Sequence, residues 1–314
     1  MDEAVRIEPV PAAQARRALH LLAWAGGQGL WDRLHLPALK QMLDRGQPPA
    51  ALWWAVVSGR PVAAAIVLTN PGRSGTVFCT MPETPGVRVQ WLSELVAAAG
   101  REALAGGLAF VQSLVAPSRR AVCEVFRAGG FDRLTELVYM RRALRSGDGD
   151  HRLADDNVRF CAYGEYDQAA LAAAIKSTYA DSQDCPRLYG LRTLGETIAA
   201  HKCGQAFQPR SWWIAMVDAR AAGCLLLNAS PSDAGAMDVA YMGVAAWFRR
   251  RGLGRRMLRR AATFARAAGR EALTVAVDGA NDPAMRLYAA EGFAETDRRV
   301  VYLLAGAARA TAAC

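Results

Sequence analysis

Residues 239–293 read VAYMGVAAWFRRRGLGRRMLRRAATFARAAGREALTVAVDGANDPAMRLYAAEGF. A hydrophobic strand runs into a glycine-punctuated basic turn, Arg249-Arg250-Arg251-Gly252-Leu253-Gly254, that opens a helix. Glycines at such a turn remove the side chains that would hold a ligand away from the backbone, so successive N–H groups at the helix start can point at phosphate oxygens. The helix dipole and the arginines favour the same negative charge. A glycine pair also serves as a plain tight connection between strand and helix. What adds to the loop here is the block downstream of it: Asn281, Leu287-Tyr288 and Gly292-Phe293.

The chain has 314 residues, about twice the usual domain, so two domains are expected. With 52% hydrophobic and 21% charged residues it has the composition of a folded globular protein. No apolar run reaches the length of a membrane span, and the start (Asp2, Glu3) is acidic where a secretory leader would be basic. A cytoplasmic location without membrane association is expected. The formal charge of +9 is carried almost wholly by arginine, and no nucleic-acid-binding module accompanies it, so no nucleic-acid partner is expected. The seven cysteines are an odd number without any Cys-x-x-Cys, and the four histidines are scattered, which argues against a disulfide framework and against a metal site.

Ser146-Gly147-Asp148-Gly149-Asp150, continuing to Asp155-Asp156-Asn157, reads as a linker. The same order of features lies on either side of it. Trp53-Trp54 and Trp212-Trp213 each open a strand pair, 159 residues apart, and the helices ending at Gly130-Phe131 and Gly292-Phe293 lie 162 residues apart. This implies a duplication, with domains at 1–145 and 158–314 joined by 146–157. The second half reads as a strand near 158–162, helices near 167–179 and 193–202, and strands near 212–218, 222–229 and 237–246. A helix over 252–268, a strand over 271–277, a helix over 282–290 and two terminal strands follow. That order predicts a mixed α/β (α+β) fold, a sheet flanked by helices. The residues after Ala305 read as a frayed tail.

Arg-x-x-Gly-x-Gly after a strand, followed by Asn281, Leu287-Tyr288 and Gly292-Phe293, resembles the GNAT superfamily of acetyl-CoA-dependent N-acetyltransferases. The two-domain layout is similar to that of its tandem members, mycothiol synthases among them. The N-terminal half resembles a degenerate copy. Its Gly86-Val87-Arg88 region lacks the glycine pair, Arg119 stands where Asn281 does, and Phe126 stands where Tyr288 does. The resemblance implies acetyl-CoA as cosubstrate, no metal, and an amine acceptor, a small molecule by the covering first half. It implies that Met242, Gly243 and Val244 pair with the pantetheine arm and that Arg249, Arg250, Arg251, Gly252, Leu253, Gly254 and Arg255 hold the pyrophosphate. It further implies that Asn281 contacts the pantetheine, that Tyr288 protonates the departing thiolate, and that a strand carboxylate removes the amine proton. Asp238 takes this last place where many members have glutamate, with Tyr241 as a second polar candidate.

Plainer readings stay open: an ordinary half-buried tyrosine at 288 and a solvent-exposed strand-end aspartate at 238. Asp282-Pro283 reads as a helix cap followed by the first helical residue. Acceptor selectivity is expected from the first two helices of the second half, where Tyr179, Asp181, Asp184, Cys185, Pro186 and Tyr189 lie, and from the facing half. Cys185 has no histidine near it in sequence to activate it as a nucleophile. Alternatives to a metabolite N-acetyltransferase are a non-catalytic acyl-CoA-binding regulator and an enzyme acylating protein N-termini or lysines.

Overall fold

The computed structural model describes residues 4–23, 49–149, 157–202 and 207–306. Linker residues 150–156 and tail residues 307–314 lie outside the described residues. The chain packs into two units. Unit one takes the described residues up to Thr135, Gly190–Arg192, and those from Arg299 on; unit two takes Glu136–Tyr189 and Thr193–Arg298.

Unit one contains β1 (Val5–Pro9), α1 (Ala15–Ala23), β2 (Ala51–Val57), β3 (Arg60–Asn70), β4 (Ser74–Cys79), α2 (Val89–Ala105), β5 (Phe110–Val115) and α3 (Arg120–Ala128). Its sheet runs β1-β2-β3-β4-β5 and is completed by the end of the chain's last strand, β12 (Ala294–Ala305), whose Val300–Ala305 pair antiparallel with β5. Unit two takes most of β6 (Asp132–Ala143), then β7 (Val158–Ala162), α4 (Gln168–Tyr179), α5 (Leu194–His201), β8 (Phe207–Val217) and β9 (Arg220–Ala229). It continues with β10 (Ala236–Val244), α6 (Leu253–Ala267), β11 (Ala272–Asp278) and α7 (Asp282–Ala290). Its sheet runs β7-β8-β9-β10-β11-β6. Each sheet is thus finished by the strand that follows the other half's last helix.

The elements follow from their sequences. In α6 the buried residues Leu253, Met257, Leu258, Ala261, Ala262 and Ala265 recur at helical spacing, with arginines on the other face. Asp167 caps α4 by accepting from the Ala170 N–H, and Thr193 with Glu196 forms a reciprocal capping box on α5. β9 is buried from Ala222 to Asn228, as a central strand with helices on both faces must be. One core cluster joins Val239, Met237 and Leu225 to α6; another, on the opposite face, joins Leu226, Trp212 and Ile214 to α4 and α5. Where two terminal strands were expected, the chain has the single strand β12. Its polar middle does not turn, because Arg298 is held by Glu136 and Glu295 and Thr296 bonds the Tyr139 carbonyl.

The duplication is visible rung by rung. Both opening hairpins turn on two residues at positive φ, Ser58-Gly59 and Asp218-Ala219, and both shift register at the same step, Ala55/Val56 and Ala215/Met216. Val57 pairs with Arg60 and Val217 with Arg220, a spacing of 160 residues. The 159-residue spacing of the tryptophan pairs is therefore one residue short of the structural repeat: Trp53 corresponds to Trp213, and Trp54 to Ile214. A one-residue slip in a strand exchanges its faces. Accordingly Trp53 and Trp213 lie in the clusters beneath α2 and α6, while Trp54 and Ile214 lie in those beneath α1 and α4.

Candidate active site

The central feature of unit two is a parting of strands. β10 and β11 run parallel and pair as Ala236↔Ala272, Met237↔Leu273 and Asp238↔Thr274, and the register ends there. Beyond this rung β10 stays paired with β9 as far as Val244, and β11 stays paired with β6 as far as Asp278. The facing edges of β10 and β11 therefore carry backbone N–H and C=O groups without a ladder partner, which need a ligand or water.

Asp238 sits at the last common rung. Its Oδ1 accepts the Thr274 hydroxyl at 2.8 Å. Burial pushes its pKa up to about 6, against which the Thr274 hydrogen bond works downward. Two residues on, β10 is bulged: Val239 pairs with Leu227 and Tyr241 with Leu226, so Ala240 is extra. The bulge puts Tyr241 on the same face as Asp238, toward α4, where its hydroxyl lies 2.6 Å from Thr178 Oγ1. Burial raises the Tyr241 pKa, so its proton stays on.

The remaining sequence candidates fall into distinct roles. Met242 and Val244 turn into the cluster beneath α6. A Cβ on Gly243 would come within 2.6 Å of Thr178, so glycine here lets α4 approach β10. In the turn before α6, Arg250 has φ +59° and Gly252, the helix N-cap, has φ +78°, a left-handed conformation that glycine adopts without strain. A Cβ at Gly254 would lie 2.8 Å from Leu287 Cδ2, so this glycine serves the packing of α6 on α7. Leu253 is buried.

The arginines divide. Arg249 points inward: its Nε donates to the Val244 carbonyl at 3.0 Å, Nη1 to Asp181 at 3.1 Å, and Nη2 to Thr178 at 2.9 Å and Ala180 at 2.7 Å. It thereby ties the C-terminal carbonyls of α4 to the end of β10 instead of presenting its charge to the turn. Arg255 pairs with Glu291 at 2.6 Å. Arg250 and Arg251 are exposed and hydrogen-bond no described residue, so they and the free N–H groups of the first turn of α6 form the basic rim.

Asn281, not Asp282, caps α7: its side chain accepts from the Ala284 N–H at 3.3 Å, and Pro283 takes the second helical position. Tyr288 lies on this helix, only 5% exposed, with its ring edge-on to Phe293 at 5.3 Å between centroids. Its hydroxyl hydrogen-bonds no described residue. Burial raises its pKa, and the negative charges of Asp184 and Asp238 add to the rise. Tyr288 is therefore a protonated donor at neutral pH.

Sequence reasoning missed Thr274 and Thr178, whose partners are set by strand register and helix packing. It also missed the link that brings the loop between α4 and α5 to this place: the Cys185 N–H donates to Asp278 Oδ2 at 3.1 Å, while Asp278 Oδ1 accepts the Ala280 N–H at 2.9 Å. The Cys185 thiol is raised by burial and by Asp184 and Asp278, which keeps it protonated and unsuited to nucleophilic attack. Among the described residues no group of His, Cys, Asp or Glu is arranged to hold a metal ion, and no helix is long and apolar enough to cross a membrane.

Unit one repeats the frame with other chemistry. Its parallel pair ends at Thr76↔Gln112, in the places of Asp238 and Thr274. β3 and β4 pair without a bulge, with Phe78 in the place of Tyr241. Arg119 takes the N-cap position of α3, as Asn281 does of α7, but its side chain makes no capping hydrogen bond; Phe126 meets Phe131 edge-on at 5.3 Å, as Tyr288 meets Phe293.

Residues 169–293 match the model of the acetyltransferase (GNAT) family. No curated protein matches the chain in sequence. Among solved structures the chain is similar to a GCN5-related N-acetyltransferase from Sphaerobacter thermophilus, at 16% identity and a TM-score of 0.63 over 96% of this chain and 95% of that one. It is also similar to a GCN5-related N-acetyltransferase from Kribbella flavida, at 15% identity and a TM-score of 0.52 over 96% of this chain and 71% of that one. A third is a tandem GNAT protein from the clavulanic acid biosynthesis pathway, at 16% identity and a TM-score of 0.51 over 96% and 98% of the two chains. At these identities the likeness is one of fold.

Proposed function

We propose that the chain is an acetyl-CoA-dependent N-acetyltransferase acting on a small amine, with its chemistry in unit two, where residues 169–293 match the model of the acetyltransferase (GNAT) family. The observation that carries this reading is the parting of β10 from β11 at Asp238↔Thr274, with the Asp238 carboxylate at the fork and Tyr288 on the helix that follows β11.

The residues present fit the cosubstrate. The unpaired edge of β10 from Val239 to Val244 offers main-chain groups to an amide-bearing pantetheine arm. The first turn of α6, with Gly252 left-handed and open space where its Cβ would be, offers N–H groups to a pyrophosphate, and Arg250 and Arg251 add charge. Arg249 and Arg255 act on the scaffold, through the α4 carbonyls and Glu291. Bound acetyl-CoA supplies the activated acetyl group, which the amine attacks directly, without a covalent acyl-enzyme.

Asp238 has the properties of the base. An ammonium has no lone pair and must lose a proton, and a carboxylate with a pKa near 6 is ionised at pH 7 yet accepts a proton more readily than an ordinary aspartate. Tyr288 has those of the acid, with its proton held by burial and two negative charges and no competing acceptor among the described residues. In unit one Thr76 and Phe126 can do neither task, which supports confining the chemistry to unit two.

The test is calorimetry with acetyl-CoA, followed by free-thiol release against a panel of small amines and peptides. Saturable binding and release with small amines support the reading. Failure to bind acetyl-CoA removes it, binding without release leaves a non-catalytic acyl-CoA binder, and release with peptides alone makes this a protein acetyltransferase.

A further inference from the structure

We propose that Tyr241 selects the acceptor by taking a hydrogen bond from it: the substrate is a small amine that carries a second hydrogen-bond donor, a hydroxyl or N–H, a few bonds from the reacting nitrogen. This rests on the function proposed above and names the substrate class of that site.

Two protons and two short contacts fix the direction of that bond. Thr178 Oγ1 lies 2.7 Å from the Ile175 carbonyl oxygen and 2.6 Å from the Tyr241 hydroxyl oxygen. Oxygens this close repel unless a hydrogen lies between them. The carbonyl has none to give, so the single hydrogen of the Thr178 hydroxyl is spent on Ile175, one helical turn back. The hydrogen in the other contact is then that of Tyr241, which donates to Thr178 and has nothing left to donate elsewhere. Burial holds this proton on the tyrosine, so the arrangement persists across neutral pH. What remains on the Tyr241 oxygen is an accepting lone pair, and no described residue donates to it.

The place of Tyr241 in the site follows from strand register. On β9 the partners of Asp238 and Tyr241 are Asn228 and Leu226, two positions apart, so the bulge at Ala240 sets both side chains on one face with their backbones about 7 Å apart. Asp238 marks the last rung shared with β11, and Tyr241 stands on the stretch of β10 that β11 has left. An acceptor whose amine faces Asp238 and which lies along this open edge therefore meets Tyr241 next. The tyrosine is held still to meet it: its hydroxyl is tied to α4, and its ring lies 5.7 Å from that of His201 between centroids. A group fixed as an acceptor selects by polarity. A hydroxyl or N–H completes the pair, whereas an ether oxygen in the same place sets lone pair against lone pair and leaves both without a partner.

The experiment measures thiol release from acetyl-CoA with 2-aminoethanol, 3-aminopropan-1-ol and 4-aminobutan-1-ol, each against its O-methyl ether. For the natural protein at least one alcohol should exceed its ether in kcat/KM by about 10-fold, the scale of a polar group left unpaired. Thr178→Val frees the Tyr241 proton to turn toward the acceptor, so the ether gains a donor and the gap should close. Thr178→Ser keeps the hydroxyl and should keep the gap, and Tyr241→Phe should close it by lowering the alcohol alone. Equal use of every alcohol and its ether, or a gap that survives in Thr178→Val or Tyr241→Phe, overturns the inference, because the bulk of the methyl group acts alike in all variants. Where Thr178→Val fails to fold, Tyr241→Phe decides. A second readout is independent of turnover: at least one alcohol should raise the melting temperature of the natural protein more than its ether does, with no such difference in Tyr241→Phe. If no acceptor is acetylated but this difference depends on Tyr241, the proposed function falls and the role of Tyr241 in binding stands. If amines are acetylated and alcohols and ethers are used alike, the function stands and the inference falls.

Discussion

The hydroxyl of Thr274 donates to Asp238 at 2.8 Å across the last rung that joins β10 to β11. A neutral donor thus stabilises the carboxylate's charged form at the point where the sheet opens, and it partly offsets the burial that favours the protonated form. If Asp238 is the base, activity rises with pH on a limb centred near 6. Asp238→Asn should lose most activity near neutral pH and less at high pH, where free amine is already abundant. Thr274→Val removes only the stabilising donor, so the Asp238 pKa moves further up and the limb shifts to higher pH. A pH–rate profile of the two variants checks this; a limb that stays in place in Thr274→Val rejects Asp238 as its source.

Tyr288→Phe keeps the ring and its contact with Phe293 while removing the hydroxyl. Acetyl-CoA affinity should persist and turnover should drop by about 10²–10⁴-fold, the usual scale of general-acid catalysis. Single-turnover kinetics with calorimetry separate the two effects, and an unchanged chemical step rules out the role.

The two glycines of the turn should fail differently. Gly252→Asp places a negative side chain at φ +78° over the first turn of α6, at a conformational cost of about 1–2 kcal/mol and with loss of acetyl-CoA binding. Gly254→Ala drives a methyl toward Leu287 at the α6–α7 contact and should first lower the melting temperature. Comparing binding and melting for both variants checks the division.

Asp184 should also mark the pH dependence of stability. Its pKa rises from an ordinary 3.8 to about 6 on folding, so between those values the folded molecule binds more protons than the unfolded one. The stability it contributes is present below pH 4 and is lost as pH rises through 6, by on the order of 1–2 kcal/mol allowing for residual solvent. Without ligand, Asp184→Asn should therefore melt higher than the natural protein at pH 8 and equally at pH 4. A variant that melts lower at both pH values contradicts the assignment of an uncompensated charge.

What the sequence made legible follows from what local rules encode. The α/β class, the repeat and the helix opening at the glycine turn could be read because residue types at fixed offsets specify them. The true spacing of the tryptophans could not, since a one-residue shift within a strand changes faces without changing composition. Nor could the extra residue at Ala240, which decides that Asp238 and Tyr241 share a face. Arg249 reads as one of three turn arginines, and only the packing of α4 shows its guanidinium spent on main-chain carbonyls. The docking of the loop between α4 and α5 on the end of β11 depends on the Cys185–Asp278 bond, which joins residues 93 positions apart and leaves no periodic trace.

The crossed placement of β6 and β12 bears on how this chain could have evolved. A fragment of residues 158–314 would leave the β11 edge open from Ala272 to Asp278 and would carry Val300–Ala305 with no β5 to receive them. Neither copy of the duplication is any longer a heritable module that deletion could remove. Unit two's sheet needs β6 at its β11 edge whatever side chains stand at Thr76, Phe78 and Phe126.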